Sequence, residues 1–484
     1  MPRPTGLAIA VLGGGIAGLS AALALGRDGH QVTLLERDDL LVGAPLDSLG
    51  WRRPGIPHFQ QPHAFTPRGR SEMRRTFPDV FDALIEAGAW DLDLVPKLRG
   101  EPAPGDDELV FLAVRRPLIE WALRRAARAE ASVRFVDRTT VTGLATRAGS
   151  AGDPPRVVGV ETSAGRIEAD LVVDAMGRRS SVGTWVEAAG GGPTLVRSSD
   201  CAIIYYCRYY AVRGGAALPD SPFIPSPRGD LGYAAFSTFP GDNGTFCALV
   251  ATPPADQELK VLRTAAAFEA AVATMPALHA WTNADTSEPI TDVLPMGSLR
   301  NTIVEAPGPR PPAVGLIRIG DAICHTDPVA SLGLSFALIH ARLLADALRE
   351  HGTDVEAAAL AFDASARPEM EERYAYVSAI DDTRSRLWAG ERIDYEHADG
   401  GAYPFFTYAR TGIASLADPD VARALIRRNY FLDALAVVDD DPAMQARIEA
   451  FYTDLAAGAA SRPRPGPPRD ELIAMMSRAG GRTG

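Results

Sequence analysis

Residues 7–37, LAIAVLGGGIAGLSAALALGRDGHQVTLLER, decide the fold. The apolar run 7–12 has the length and composition of a buried strand. Gly13, Gly14, Gly15 and Gly18 follow as a tight turn, and residues 20–26 carry the Ala/Leu content of a helix. A second strand, residues 31–35, comes after Gly29 and closes on Glu36. Strand, glycine turn, helix and strand, with an acid about twenty residues beyond the turn, is a dinucleotide-binding fingerprint. Gly13 permits the sharp turn, Gly15 lets the backbone approach a pyrophosphate, and Gly18 lets helix and strand pack closely. Ile16 and Ala17 open the helix, whose free N–H groups and partial positive charge suit phosphates. Glu36, followed by Arg37, can accept from ribose hydroxyls. The fingerprint fits NAD and FAD alike.

Residues 7–26 carry no charge, a length that also suits a membrane span or a signal core. Five glycines, the strand that follows and its terminal acid argue against that reading. The chain has 484 residues, 46% hydrophobic and 23% charged, ordinary proportions for a globular protein with a sizeable core. A net charge of -12 argues against nucleic acid or an anionic membrane as partner. Lys97 and Lys260 are the only lysines, so the basic charge is almost wholly arginine. Cys201, Cys207, Cys247 and Cys324 show neither metal spacing nor a disulfide framework, and the eight histidines form no zinc pattern. A reducing cytoplasm is the expected compartment, with no metal.

Downstream, residues 50–69 read as an ordered loop rich in Pro, Gly, His and Arg. Residues 70–88 are helical in pattern with a break at Pro78. Strand 109–114 runs into Arg115, Arg116 and Pro117. A helix with the stripe Leu118, Ala122, Ala126, Ala129 follows, on which Glu120 and Arg124 make a modest one-turn pair. Short β segments at 132–136, 139–144 and 157–162 precede an apolar strand at 171–174. From Cys201 the composition turns β-branched and aromatic. Residues 201–212 read as a strand, 233–239 and 245–251 as a hairpin over 241–244, and 259–275 as a helix. Residues 316–319 return to a buried strand, and helical sequence runs from Gly333 to 455.

The second decisive stretch is residues 319–348, IGDAICHTDPVASLGLSFALIHARLLADAL. It resembles the ribityl-binding motif of FAD-dependent monooxygenases: a strand ending in Gly-Asp, then Pro, then Gly-Leu opening a helix. The resemblance implies Asp321 on a ribityl hydroxyl, Pro328 beside the isoalloxazine ring, and the N–H groups of Gly333 and Leu334 on the pyrimidine oxygen. Arg116 resembles the arginine that contacts the cofactor in many members. Residues 171–185, LVVDAMGRRSSVGTW, resemble the middle motif through Asp174, Gly177 and Ser180, in a form closer to squalene and polyether epoxidases and halogenases. Gly183 stands where aromatic hydroxylases carry an arginine, which puts direct reduction by NAD(P)H in doubt. The 55–65 loop is similar to the epoxidase-like G-V-P-Q-x-R-H-x-H. His63 keeps its last position, and Gln60 and Gln61 replace Arg-His.

The resemblance implies an α/β chain: a Rossmann-type, glutathione-reductase-like FAD-binding domain (1–80, 105–190 and 295–350) with an inserted antiparallel-sheet substrate domain (191–294). A helical region (351–460) and a mobile tail (461–484) complete it. The implied reaction inserts one atom of O2 into a small apolar or aromatic substrate, by hydroxylation or epoxidation. NAD(P)H would donate electrons directly or through a separate flavin reductase. His63 and His325 are the catalytic candidates, and His58 can line the same site, although each also suits a packed or solvated role. The run 205–210 can line a substrate cavity, with Trp388, Tyr403, Phe405, Phe406 and Tyr408 as its cap or as core. A halogenase should show W-x-W-x-I-P and an active-site lysine. Trp51 with Ile56-Pro57 echoes the first only in part, and Lys97 lacks the context. An FAD-dependent reductase or dehydrogenase is the other alternative.

Overall fold

The computed structural model describes residues 6–40, 42–98, 100–150, 152–215, 217–221, 225–306, 308, 310–391, 411–412, 414–415, 417–458 and 466–480. The expected cavity-capping residues Tyr403, Phe405, Phe406 and Tyr408 lie outside these.

Five parallel strands form the central sheet, in the order Leu316–Arg318, Leu171–Asp174, Ala8–Leu12, Gln31–Leu35, Val133–Val136. Strand Ala8–Leu12 is apolar on both faces because both are covered. Ile9 and Val11 point into one core with helices Ile16–Arg27, Arg116–Ala129 and Gly333–His351. Ala10 and Leu12 point into the other, with Val157 and Val160 of the meander Val141–Arg147, Arg156–Thr162 and Gly165–Glu168. Helix therefore lies on one side of the sheet and antiparallel strand on the other. The expected break at Pro78 separates helices Pro67–Thr76 and Pro78–Glu86.

A second, antiparallel sheet centres on Ile204–Val212, paired with Thr245–Thr252, Ser287–Pro289 and Leu294–Met296. Alternation again divides its faces. Tyr206 and Tyr210 join Phe246 and helix Ala265–Val272 in an outer core, and the Tyr210 and Phe246 rings stack at 5.3 Å. Tyr205, Cys207 and Tyr209 turn inward with Leu299 and Trp388. A three-stranded sheet, Val196–Asp200, Arg300–Val304 and Cys324–His325, joins the two parts, so pairing crosses the expected boundaries at 191 and 294.

Two expectations are corrected. The helix over 259–275 is a 3-10 turn, Leu259–Arg263, then Ala265–Val272, because Thr264 is extended. The tail expected to be mobile over 461–484 is in part packed. Residues Arg469–Gly480 form a helix whose Leu472 and Met476 are buried in the outer core, and Arg469 pairs with Asp256 (2.9 Å) and Glu258 (2.7 Å). Two apolar side chains one turn apart outweigh the Pro/Arg composition before them.

His340, on helix Gly333–His351, is buried between Phe336 and Phe362, and its Nδ1 accepts from Gly320 N (2.9 Å). Burial pushes its pKa down from 6.5 to about 3. The unfolded chain therefore binds the proton first, so stability from neutral His340 is complete above pH 6.5 and drains as pH falls toward 3. Between pH 7 and pH 5, urea melts of a His340→Gln variant will close on the parent by roughly 2 kcal/mol. An unchanged gap would show that His340 is not held neutral.

Candidate functional site

The carboxyl ends of strands Ala8–Leu12, Leu171–Asp174 and Leu316–Arg318 open onto a cavity of about 630 Å³. Ligand crevices in open α/β sheets form at such strand ends. Gly13 turns the chain with φ of 101°, and a Cβ there would meet the Ala175 carbonyl oxygen at 2.6 Å. A Cβ on Gly18 would lie 1.8 Å from the Gly13 carbonyl oxygen, so helix and turn touch as only glycine allows. A Cβ on Gly15 would meet only Ile56, at 3.7 Å, so the backbone there faces open cavity.

Two helix N-termini converge on this space. Helix Ile16–Arg27 starts at Gly15 and helix Gly333–His351 at Leu332, neither with a capping side chain, and Gly15, Ile16, Ala17, Leu332, Gly333 and Leu334 all line the cavity. Each end presents N–H groups and partial positive charge. Gly320, with φ of 58°, brings the Asp321 turn against Ala17.

Charged and imidazole groups gather between them. His325 Nδ1 lies 3.3 Å from Asp321 Oδ2, while its Nε2 is buried with no hydrogen-bond partner among the described residues. Arg116 Nη1 donates to His63 Nε2 (3.2 Å), and His63 Nδ1 donates to the Gln61 carbonyl (2.8 Å). Arg116 Nε has no hydrogen-bond partner among the described residues and sits 3.8 Å from Glu120. Burial, then the Arg116 charge, pushes His63 down to about 3, and the same two causes hold His58 well below its usual value. Burial alone would raise the Asp321 carboxyl, but His325, His58 and Arg116 hold it far below the usual carboxylate range. Burial lowers Arg116 to about 10, still a cation at neutral pH. The site thus pairs one carboxylate, Asp321, with one guanidinium, Arg116, beside the neutral imidazoles of His58 and His63.

Of the residues expected from sequence, Gly13, Gly15, Ile16, Ala17, Glu36, Arg37, His63, Arg116, Asp321, His325, Pro328, Gly333 and Leu334 line this cavity. Gly18 and Asp174 do not. Asp174 is buried, accepting from Ser180 Oγ (2.6 Å) and Met176 N (3.1 Å), and so folds its own turn. Glu36 is largely spent inside the protein: it accepts from Gly14 N (2.9 Å), Asp38 N (3.0 Å) and Arg53 (2.7 Å). His63 has both ring nitrogens engaged, leaving neither free to exchange a proton with a substrate. Arg53, fully buried in the 50–69 loop, and the Glu120–Arg124 pair (2.6 Å) belong to the same ionic cluster, so that pair is interior rather than a modest surface contact. Sequence reasoning passed over Arg53 and Asp327. The one available signal was the Arg52-Arg53 pair in a Pro- and Gly-rich loop.

Residues 8–101 match the family model described as FAD dependent oxidoreductase. The small chain of a glutamate synthase [NADPH] from Mycobacterium tuberculosis (strain CDC 1551 / Oshkosh) is 42% identical over 148 residues, 25% of this chain and 27% of that protein. The match thus spans about a quarter of that relative's length. Among solved structures, PqsL of Pseudomonas aeruginosa, described as "a probable FAD-dependent monooxygenase", has a TM-score of 0.57 at 17% identity, covering 80% of this chain and 99% of that one. A tetrameric 2-methyl-3-hydroxypyridine-5-carboxylic acid oxygenase gives 0.54 at 18%, covering 79% and 93%. A triple mutant of the flavin-dependent brominase Bmp2 gives 0.58 at 18%, covering 92% and 99%.

The chain shares its fold with these three proteins.

The cavity residues fit FAD. Gly15 leaves the backbone bare for a pyrophosphate, the two uncapped N-termini offer N–H groups at separate points, and Arg116 Nε has no hydrogen-bond partner among the described residues. Among the described residues no helix is long and apolar enough to cross a membrane. A Gly18→Ala substitution, forcing a methyl group into the Gly13 carbonyl, will lower unfolding free energy by roughly 1–3 kcal/mol and weaken FAD uptake. Parent-like melting and FAD binding would show that the turn can move aside.

Proposed function

We propose that this chain is a monooxygenase that uses FAD to insert one oxygen atom from O2 into a small, largely apolar or aromatic molecule, by hydroxylation or epoxidation. The observation that carries the reading is the convergence of two uncapped helix N-termini, Arg116 and Asp321 on one cavity. Asp321, Arg116 and the Gly13–Ala17 turn would hold the cofactor, with Pro328, Gly333 and Leu334 along its flavin end. When bound, FAD supplies the redox and oxygen chemistry.

The chain's own work is to bind, orient and keep water out. Pro62, Pro295, Met296 and Leu299 form an apolar wall of the cavity, which favours an apolar substrate and a dry site. His325 is the acid–base candidate: its Nδ1 faces Asp321, and its buried Nε2 has no hydrogen-bond partner among the described residues. His63, its nitrogens engaged, orients Arg116 and the 55–65 loop. NAD(P)H, directly or through a reductase, is the proposed electron source. Halogenation is the weaker reading, because no lysine lines the cavity among the described residues and Lys97 instead donates to the Pro225 carbonyl (2.9 Å).

FAD-reconstituted protein, reduced with dithionite and mixed with oxygenated buffer, should show a millisecond absorbance band that belongs to neither the oxidised nor the reduced cofactor. Direct return to the oxidised spectrum, with and without aromatic and alkene test compounds, would contradict the oxygenase reading. NADPH consumption without added reductase separates the two electron routes.

A further inference from the structure

Asp327 stands directly before Pro328, buried, and is held from several elements at once. Its backbone N–H donates to Asn301 Oδ1 (2.6 Å), on strand Arg300–Val304. Its Oδ1 accepts from Val329 N (3.1 Å) and from the hydroxyl of Tyr205, on strand Ile204–Val212. Its Oδ2 accepts from Arg384 (3.1 Å), near the end of the 34-residue helix Val355–Trp388. Arg384 also donates to the Cys201 carbonyl (2.6 Å) and lies 2.8 Å from Asp381, which accepts from Asn301 Nδ2 (2.7 Å). Cys201 Sγ and one carboxyl oxygen each of Asp327 and Asp381 lie within 4.8 Å of one another, and the guanidinium of Arg384 is the cation present.

Burying a guanidinium between two carboxyl groups does not stabilise a fold on balance, so such a cluster is better read as fixing an arrangement. Here the arrangement is the segment leading from Asp327 to the N-terminus of helix Gly333–His351. Pro328, Ser331, Leu332, Gly333 and Leu334 all line the cavity. Ser331 is held at φ of 57°, a left-handed conformation that a non-glycine residue keeps only when its surroundings over-determine it. The segment is therefore short, strained and pinned at its first residue by the middle sheet, the joining sheet and the long C-terminal helix.

We propose that Tyr205, Asn301 and Arg384 form a latch on Asp327 that sets where the 333 helix N-terminus stands in the cavity. Through it the substrate-side sheet and the C-terminal helix fix the site's preference for the reduced cofactor over the oxidised one. These are positioning residues, acting through Asp327. The inference rests on the reading that FAD binds with its flavin end at that N-terminus. A helix N-terminus favours the extra negative charge of the reduced form, so releasing the latch weakens binding of that form most.

The test uses the full chain reconstituted with FAD as parent, Tyr205→Phe, Arg384→Met and Arg384→Lys, reading FAD affinity, midpoint potential and melting temperature. Tyr205→Phe and Arg384→Met should keep FAD yet lose roughly tenfold of the preference for its reduced form, a fall of about 30 mV for a two-electron couple. Arg384→Lys should recover part of that loss. A parent-like potential in both variants, with FAD bound, overturns the latch even if melting falls, since a merely structural role moves melting alone. Should Arg384→Met fail to fold, Tyr205→Phe decides the matter, because it removes one hydroxyl and keeps the ring. A parent that takes up no FAD overturns the proposed function, and the latch with it.

Discussion

One buried guanidinium organises the nucleotide side of this molecule. Arg53 is 1% exposed, donates to Glu36 (2.7 Å) and Asp38 (3.0 Å), and meets Glu120 at its third edge. Glu36 in turn accepts from the N–H of Gly14 in the glycine turn, and Asp38 from Gly55 N (3.1 Å). Glu120 pairs with Arg124, whose guanidinium lies over the Trp51 ring at 4.2 Å. Such clusters contribute little net stability, but removing one member leaves uncompensated buried charge at about 3–5 kcal/mol. The consequence is uniqueness. The 50–69 loop can close over the glycine turn in one way, and that closure sets residues 55–64 as a wall of the cavity.

The cavity is then assembled from segments far apart in the chain. The 13–18 turn gives one helix N-terminus and the 332–334 segment the other, and helices Ile16–Arg27 and Gly333–His351 pack in a common core. The inward face of the middle sheet, with Tyr205, Cys207 and Tyr209, stands behind the apolar wall. Gln61 connects the two, accepting from Cys207 Sγ (3.1 Å) and donating to the Leu294 carbonyl (3.3 Å). In the proposed reaction this places substrate between a dry wall and a cofactor whose charge the protein has already met.

Much of this was legible in sequence because it rests on local backbone demands. Gly13 needs a left-handed φ and Gly18 a missing Cβ, and both needs follow from residues within a few positions. The apolar run at 8–12 and the Gly-Asp…Pro…Gly-Leu order of 320–334 are equally local. What stayed hidden depends on distant partners. Nothing near Arg53 announces Glu120, and nothing near Asp327 announces Arg384. The glycines foretold the tight turn and the bare backbone at Gly15, yet Glu36, expected on a ribose, is bound largely to Arg53 and the turn itself. Composition also misled at the tail, where Pro and Arg concealed a helix anchored by Leu472 and Met476.

The central claim is that the space between the two uncapped helix N-termini holds one FAD. Titrating apo protein with FAD, followed by quenching of flavin fluorescence, measures it directly. The account predicts saturation at one FAD per chain and binding weakened roughly tenfold or more by Asp321→Ala, which removes a charge-assisted hydrogen bond. Binding that never saturates, or that Asp321→Ala leaves untouched, would contradict it.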